Sequence, residues 1–316
     1  MRKALSRLLL AIIVVACGSP AVSTTSAAVA TTSAAATTTA FTGFPVTLET
    51  AIGPLTIPDR PKAIVSLAPT ATEMLAAIGA AEQLVAVDDQ SNYPAEVPLT
   101  DLSGFTPNIE AIASYQPDLV VISNDIDNMV ASLQSLDIPV LLLPAAVTLD
   151  DVYSEIELLG VATGHVVDAQ LLTKTMKEDI AALVEGFEPP AEPITYYHEL
   201  DPMLFSVTST TFIGSIYSLF GMQNIADPAD PDGFGYPRLS AEYVIESDPD
   251  FIFLADTGFA GQTTETVAAR PGWSDMSAVT NGRVISLDDD VASRWGPRVV
   301  DFVRAVAGAV VLQPVE

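Results

Sequence analysis

The sequence contains very little cysteine, histidine or positive charge. Its 316 residues include one cysteine, two histidines and 13 Lys and Arg against 40 Asp and Glu, for a formal net charge of −27. One cysteine excludes an internal disulfide. The acidic excess argues against binding nucleic acid or an anionic membrane surface through charge. A zinc site of two or three histidines is excluded unless His165 and His198, which belong to different segments, meet.

Motifs of the common catalytic and nucleotide-binding sites are also missing. The chain has no Gly-x-Ser-x-Gly nucleophile elbow, no HExxH and no Walker A sequence. His198, next to Glu199 at the end of a predicted strand, is the residue on which an enzyme would depend. A hydrolase or metal chelatase using this pair is the alternative to a binding protein, and contact between His198 and a metal carried by a ligand is a further option. We predict that the protein is not an enzyme.

The N-terminus has the pattern of an export signal. Arg2, Lys3 and Arg7 precede the apolar run Leu8–Ala16, whose nine residues are too few to span a bilayer as a helix. The run ends in VVAC, the pattern of a bacterial lipobox, so we predict a signal peptide at 1–17 and lipidation of Cys17. An ordinary secretory signal is the alternative. The prediction places the chain outside the cytoplasm, in the periplasm or on the cell surface, with a lipid anchor in the membrane.

Two regions with the same alternation of predicted strands and helices follow a flexible tether. Residues 18–44 are mostly Ser, Thr and Ala, which cannot bury enough surface to fold, so they are predicted to be a flexible tether. In 45–164 short apolar runs alternate with helical patterns, which predicts an α/β lobe with a largely parallel sheet. The same alternation resumes in 188–316.

One long helix is predicted between these regions, within 165–187. Val166–Glu185 has apolar residues at helical spacing and no Gly or Pro, and at about 1.5 Å per residue it would be roughly 30 Å long. The predicted fold is two Rossmann-like α/β lobes joined by a single long rigid helix. Clefts between domains are favoured ligand sites, so a ligand is expected between the lobes.

The two lobes also look like copies of each other. NIEAIASYQPDLVVIS begins at Asn108 and SAEYVIESDPDFIFLA begins at Ser240, 132 residues later. Each segment predicts a helix, a Pro-Asp turn and a buried strand. The alignment pairs Glu110 with Glu242, Pro117 with Pro249 and Asp118 with Asp250.

Predicted loops contain the residues best suited to bind a ligand. Arg294 and Arg298 flank Trp295-Gly296-Pro297, and in a chain so poor in positive charge they suit capture of an anion. Pairing of Arg298 with Asp301 is the alternative. Aromatic residues in these loops suit a flat or bulky apolar ligand. They are Tyr93, Phe105, Phe205, Phe234, Tyr236 and Trp295.

Two glutamates, Glu73 and Glu242, fall in the first turn of a predicted helix, one in each lobe. The helix dipole favours a carboxylate there, so capping is the structural interpretation. Exposed carboxylates on either side of a cleft would also suit the arginines of a partner protein.

A family resemblance rests on four segments taken in order: RPKAIVSLAPTATEMLAAIG, SGFTPNIEAIASYQPDLVVIS, LGVATG and SRWGPRVVDFVRAVA. From about Val46 onwards the chain resembles the iron-siderophore and vitamin B12 class of ABC-transporter substrate-binding proteins. The resemblance implies a bilobed fold with one rigid helix between the lobes. It also implies ligand-facing roles for Tyr93, Phe105, Tyr236 and Phe205, polar pocket roles for Asp290 and Arg294, and permease docking through Glu73 and Glu242.

We therefore expect a lipid-anchored receptor that captures an iron-siderophore or a corrinoid and delivers it to an ABC permease dimer with its ATPase. Aromatic walls would hold the chelate, and Arg294, with Arg298 and Arg238, would fix its polar edge, next to Trp295. The ligand would bring its own Fe(III) or Co, so no intrinsic cofactor is expected, and the protein is expected to be a monomer that binds no nucleic acid. The rigid helix would limit closure of the lobes. A surface sensor is the remaining alternative to a transport receptor.

Overall fold

The computed structural model describes residues 43–312. The predicted signal peptide at 1–17, its lipidation site Cys17 and all but the last two residues of the tether at 18–44 lie outside the described residues. Within the described range, no helix combines the length and the apolar character needed to cross a membrane.

A β-hairpin opens the described chain. Its antiparallel strands are β1 (Val46–Thr50) and β2 (Gly53–Ile57). The Gly53-Pro54 pair suggests a turn in the sequence, but the turn lies at residues 51–52, because Gly53 already pairs with Thr50. Gly53 has a φ of +105°, a conformation that favours glycine. Leu48 and Ile57 are buried and join the hairpin to the core.

A five-stranded parallel sheet forms the first lobe. Its strands are β3 (Ile64–Ser66), β4 (Leu84–Asp88), β5 (Leu99–Leu102), β6 (Leu119–Ile122) and β7 (Val140–Leu142). Its helices are α1 (Pro69–Ala77), α2 (Ile109–Ser114), α3 (Met129–Gln134) and α4 (Leu149–Thr163). The order β5-β4-β3-β6-β7 puts the first strand in the middle, which is a doubly wound topology. The sequence missed β5, an edge strand with only one buried residue.

The helix between the lobes is α5 (Val166–Val184), one residue shorter at its C-terminal end than predicted. Gly164 adopts φ +79° between α4 and α5, as expected of a left-handed cap. One face of α5, formed by Ala169, Thr173, Met176 and Ile180, is buried, whereas its other faces meet solvent. The helix is therefore packed along its length rather than free-standing.

A second parallel sheet forms the other lobe. Its strands are β8 (Thr195–Glu199), β9 (Gln223–Asn224), β10 (Phe251–Leu254) and β11 (Val284–Ser286), in the order β11-β10-β8-β9. Its helices are α6 (Phe212–Ser218), α7 (Ala241–Ser247), α8 (Thr264–Ala268), α9 (Ser277–Thr280), α10 (Asp289–Ser293) and α11 (Val299–Leu312). The short elements β9, α8, α9 and α10 were not predicted, because each spans five residues or fewer and carries little periodic signal.

The two copies of the predicted repeat share three structural features: the helix cap, a residue of positive φ after the helix, and the contacts of the Pro-Asp aspartate. The side chains of Asn108 and Ser240 both cap a helix by accepting from the backbone N–H three residues on, in α2 and α7. Those helices end at residues with positive φ, Gln116 at +50° and Asp248 at +40°. The aspartates of the Pro-Asp turns then accept from backbone N–H groups at the start of the neighbouring strand, Asp118 from Lys62 and Ala63, and Asp250 from Thr195. Both copies thus use the same contacts to set a helix against a strand.

The two lobes share one hydrophobic core. A single cluster of buried residues runs from Leu48 in the hairpin through α4 and α5 to Val310 in α11. Along it, α5 packs against both α4 and α11. Each sheet also has a smaller core of its own on its other face. The lobes are therefore joined by packed side chains as well as by the chain itself.

Candidate functional site

The candidate site lies at the carboxyl ends of the strands, where ligands bind in open parallel α/β sheets. Of the residues predicted to face a ligand, Tyr93 follows β4, Phe105 follows β5 and Tyr236 follows β9. The two remaining positions are Phe205, which follows β8, and the segment 290–298, which follows β11. Both lobes therefore contribute loops of the kind that form a binding cleft.

Three of the predicted aromatic residues present their rings to solvent. Phe105 is 70% exposed, Tyr93 48% and Tyr236 43%, large fractions for aromatic side chains. Phe205 is half-buried, with its backbone bridged to Arg238 and its ring 6.0 Å from the Arg238 guanidinium. Loops of both lobes thus expose aromatic surface that can pack against a flat or bulky ligand.

The loop that carries Tyr236 is built by backbone contacts. The carboxylate of Asp230 accepts from the N–H groups of Phe234 and Gly235, at 3.0 and 2.6 Å. Gly235 has a φ of +91°, and its carbonyl accepts from the N–H of Thr208. The rings of Phe234 and Tyr236 then meet edge to face with centroids 6.3 Å apart. Phe234, noticed in the sequence as a loop aromatic, thus extends the apolar surface around Tyr236.

Two further exposed apolar residues were not selected from the sequence. Phe259 follows β10 in the turn Asp256-Thr257-Gly258-Phe259, and Met203 lies in the loop after β8; both are exposed. Asp289, at the start of α10, fixes this turn by accepting from the N–H groups of Gly258 and Phe259 at 2.9 to 3.0 Å. The signal that could have found Phe259 is its place after a glycine in the short loop that follows the buried run FIFL.

The two arginines predicted to grip the ligand are engaged inside the protein. Arg298 donates to Glu73 through Nε at 2.9 Å and Nη2 at 2.6 Å. Arg294 donates through Nη1 to Glu73 at 2.8 Å and to Asn92 at 2.9 Å. We call Glu73, Arg294 and Arg298 the interlobe ion-pair cluster. Both guanidinium groups are mostly buried and already paired, so an anionic ligand would have to compete with Glu73 for them. Their predicted contact with a ligand stays a prediction.

The same contacts change the interpretation of Glu73. Its side chain is buried, with 3% of the residue exposed, so it is not the exposed carboxylate that was predicted to meet a permease. Helix α1 begins at Pro69, so Glu73 lies in its second turn and not in the first turn as predicted. The sequence also could not show that two arginines from 221 and 225 residues away reach it. Glu242, by contrast, is exposed in the first turn of α7.

Asp290 and Trp295 also lie at this junction of the lobes. Asp290 accepts from the Asn92 amide at 2.9 Å and pairs with Arg294 at 2.7 Å. Trp295 is half-buried against the shared core. It lines a void of about 10 Å³ with Glu155 of α4, at the size of a single water. Both residues therefore tie the segment after β11 to the first lobe, and their predicted contact with a ligand stays a prediction.

His198 and Glu199 are sealed in the second lobe. His198 is fully buried, its Nδ1 lies 2.7 Å from the Tyr217 hydroxyl, and burial lowers its pKa to about 3. Glu199 is equally buried and is held by both Nη atoms of Arg270, at 2.5 and 2.6 Å. Neither side chain is available to a substrate or to a ligand's metal. The catalytic alternative based on this pair is therefore wrong.

Asp256 lies beside this pair at the switch point between β8 and β10. It is fully buried, and neither of its carboxylate oxygens has a hydrogen-bond partner among residues 43–312. Burial first, and the charge of Glu199 second, raise the pKa of Asp256 above its ordinary value. No group of three or more metal-ligating side chains is present in the described part of the chain.

Comparison with known proteins identifies the family. The sequence profile of the periplasmic binding protein family matches residues 64–291. The chain belongs to this family. Over 96% of its length it is 31% identical to an uncharacterized ABC transporter substrate-binding lipoprotein, YvrC, of Bacillus subtilis, of which it covers 94%. The resemblance drawn from the four sequence segments is thereby confirmed, and so is the prediction of a binding protein rather than an enzyme.

Two further comparisons agree with the fold. A cobalamin-binding protein of Halobacterium salinarum is 28% identical over 84% of this chain and 74% of its own length. The crystal structure of the periplasmic vitamin B12 binding protein BtuF of Vibrio cholerae superposes with a TM-score of 0.67 at 26% identity, and the match covers 81% of this chain and 99% of that one. The predicted class of two α/β lobes with a helix between them is confirmed.

Proposed function

We propose that this protein is the extracytoplasmic substrate-binding lipoprotein of an ABC importer and that its ligand is a corrinoid of the cobalamin type. The observation that carries the proposal is the set of exposed aromatic rings on strand-end loops of both lobes. Tyr93 and Phe105 come from the first lobe, and Tyr236, Phe234 and Phe259 from the second. Two relatives that carry the names cobalamin-binding and vitamin B12-binding protein support this ligand class.

Charge favours a corrinoid over an anionic iron chelate. Ferric catecholate complexes carry several negative charges, and a receptor for them would need unpaired cations in its cleft. Here Arg294 and Arg298 are neutralised by Glu73 and Asp290 together, and the chain as a whole carries a net charge of −27. Of the arginines predicted to face a ligand, Arg238 is exposed and donates through Nε to the Met203 carbonyl. A ligand of low net charge that binds through its apolar faces suits these surroundings better.

The ligand itself supplies the metal. A corrinoid holds its cobalt within its own ring, so no protein ligand to a resident metal is required. The protein's part is to enclose the ligand, exclude water and orient its polar edge. No bond of the ligand is made or broken in this role.

Docking to the permease is assigned to Glu110 and Glu242. The two residues are related by the internal repeat, are both exposed, and lie in the first turns of α2 and α7. Because each helix starts from a strand-end loop, the glutamates flank the cleft-bearing side of their lobes. Such a pair could bind matching arginines on the two subunits of a permease. Membrane attachment through lipidated Cys17 is part of the same proposal.

Calorimetric titration of the purified protein tests the ligand. We expect cyanocobalamin to bind with a stoichiometry of one, and a ferric hydroxamate, a ferric catecholate and haemin to give no comparable heat. Binding of one of those three, with no heat from cobalamin, would reassign the ligand within the family. Mass spectrometry of what co-purifies with the protein provides an independent identification.

A further inference from the structure

Glu73 joins the two lobes by charge at one side of the cleft. Its carboxylate accepts three hydrogen bonds of 2.6 to 2.9 Å, one from Arg294 and two from Arg298. Glu73 belongs to α1 of the first lobe, whereas both arginines follow β11 in the second. Charge-assisted bonds of this kind are shorter and stronger than those between neutral groups.

The interlobe ion-pair cluster reaches the loop that carries Tyr93. The guanidinium of Arg298 lies over the Tyr93 ring, 4.3 Å from its centroid. Arg294 donates to the Asn92 side chain and, at 3.0 Å, to the Gln90 carbonyl. The loop after β4 is thus held from the opposite lobe by both arginines. Beneath it, α1, α5 and α11 enclose a groove of about 420 Å³ that is also lined by Glu73, Tyr93 and Arg298.

Stability alone is a poor explanation for this cluster. Removing ions from water carries a desolvation cost that their mutual attraction often only balances, and apolar side chains of similar volume commonly do as well. The lobes are already joined by the shared hydrophobic core that contains α5 and α11. Apolar contacts are non-directional, whereas two guanidinium groups on one carboxylate fix an orientation. The cluster therefore supplies geometry that the core does not.

We propose that Glu73 is a positioning residue, which sets the distance between the lobes and holds Tyr93 in place for the ligand. Glu73 does not itself contact the ligand. It acts through Arg298 on the Tyr93 ring and through Arg294 on the backbone of the same loop. The effect on the ligand rests on the proposed function, whereas the effect on lobe spacing does not.

Spin-label distances measure the first effect without any ligand. In the full chain carrying Cys17→Ser, labels at Gln134→Cys on α3 and Glu246→Cys on α7 report the spacing of the lobes, since both positions are exposed. We expect one narrow distance distribution for the parent protein and a broader one for Glu73→Gln and for Arg298→Gln. Glu178→Gln is the matched control, because its ion pair with Lys174 lies within α5 and is exposed.

A double-mutant cycle shows whether the two residues act as one unit. Combining Glu73→Gln with Arg298→Gln should broaden the distribution no further than either single change, since residues in one network are not additive. The dissociation constant for cobalamin should rise about tenfold in each variant. Thermal unfolding and near-ultraviolet circular dichroism identify a variant that fails to fold, in which case the other substitution alone carries the test.

The outcomes separate the two proposals. Unchanged distances in both single variants, or strictly additive effects in the double variant, overturn the positioning role of Glu73. Broadened distances with no cobalamin binding even in the parent protein support that role and refute the proposed ligand.

Discussion

At the scale of single residues, the aromatic rings are the groups on which ligand binding should depend. Tyr236 is placed by backbone contacts of its loop, including the N–H groups that Asp230 binds. It is 43% exposed, and Phe234 packs against its edge. A ring held in this way loses little freedom when a ligand covers it, which makes it a good anchor.

Tyr236→Ala should weaken cobalamin binding by about 1 to 2 kcal/mol, or about 5- to 30-fold in dissociation constant, because the ligand loses an aromatic wall. Calorimetry measures the change. Tyr115→Ala is the matched control, since Tyr115 is similarly exposed but lies at the end of α2 away from the strand-end loops. Equal losses in the two variants would remove Tyr236 from the site.

Glu155 is the clearest titrating group at the junction of the lobes. It is buried beside Trp295, whose indole hydrogen-bonds to its carboxyl. Its Oε2 atom has no partner within residues 43–312. Burial raises the pKa of Glu155 to about 8, so the folded protein holds a proton that the unfolded chain releases near pH 4.5.

Glu155→Gln should therefore change how stability depends on pH. In the parent protein, the contribution of Glu155 is fully present below its unfolded pKa and is lost as pH rises through its folded value of about 8. Glutamine cannot ionise, so the variant lacks this loss of stability. The free energy of unfolding of the variant minus that of the parent should therefore increase from about pH 5 to about pH 9. Urea denaturation across this range gives the difference, with the exposed Glu246→Gln as control. Parallel curves for parent and variant would show that Glu155 is not protonated in the fold.

At the scale of elements, the contact between α4 and α5 decides how the linking helix is held. Gly160 of α4 faces Ala169 of α5 so closely that a methyl group at position 160 would lie 2.4 Å from the Ala169 Cβ and 3.2 Å from the His165 carbonyl oxygen. Glycine is required here by close approach, not by its backbone conformation. This contact between α4 and α5 fixes where α5 leaves the first lobe, and thus the direction of α5 toward the second lobe.

Gly160→Ala should destabilise the protein by about 1 to 3 kcal/mol, because the added methyl group forces the two helices apart. Gly308→Ala in α11 is the matched change, since nothing lies within 4 Å of the added methyl group there. It should stabilise by about 0.5 to 1 kcal/mol through helix propensity. Chemical denaturation measures both. A stabilising Gly160→Ala would mean that α4 and α5 are separated more widely than the structure shows.

At the scale of the whole molecule, the internal repeat gives the protein two similar faces. Glu110 and Glu242 occupy equivalent exposed positions, one on each lobe. A permease built from two subunits could bind both in the same way. The shared core and the interlobe ion-pair cluster would keep these faces at a constant spacing.

Reversing both charges, with Glu110→Lys and Glu242→Lys, should abolish uptake of cobalamin in cells while leaving its dissociation constant unchanged. The physical reason is that two repelling contacts replace two attractive ones at the permease, while the ligand site is untouched. Uptake of labelled cobalamin and calorimetry on the purified variant provide the two measurements. Glu178→Lys with Glu246→Lys, which changes net charge equally at other exposed positions, is the control. Normal uptake in the first double variant would refute docking through this pair.

The sequence by itself determined the architecture, because that architecture follows from local patterns. Buried runs such as FIFL, the unbroken segment Val166–Glu185 and the two Pro-Asp turns each act over a few residues, and their order along the chain implies two α/β lobes and one helix. Exposed loop aromatics could also be chosen, since Tyr93, Phe105 and Tyr236 lie next to Gly, Pro or strand ends. The short elements and the edge strand β5 could not be predicted from the sequence, because tertiary contacts rather than a periodic pattern hold them in place.

Only the tertiary structure decided the roles of the charged residues. Glu73 is more than 200 residues away from Arg294 and Arg298 along the chain, and nothing in the sequence around them indicates that the three form one buried cluster. The same holds for Glu199, which Arg270 neutralises, and for His198, which the core encloses. A charge acts over distance and through its degree of burial, and both quantities are set by how the lobes pack, not by which residues are adjacent in sequence.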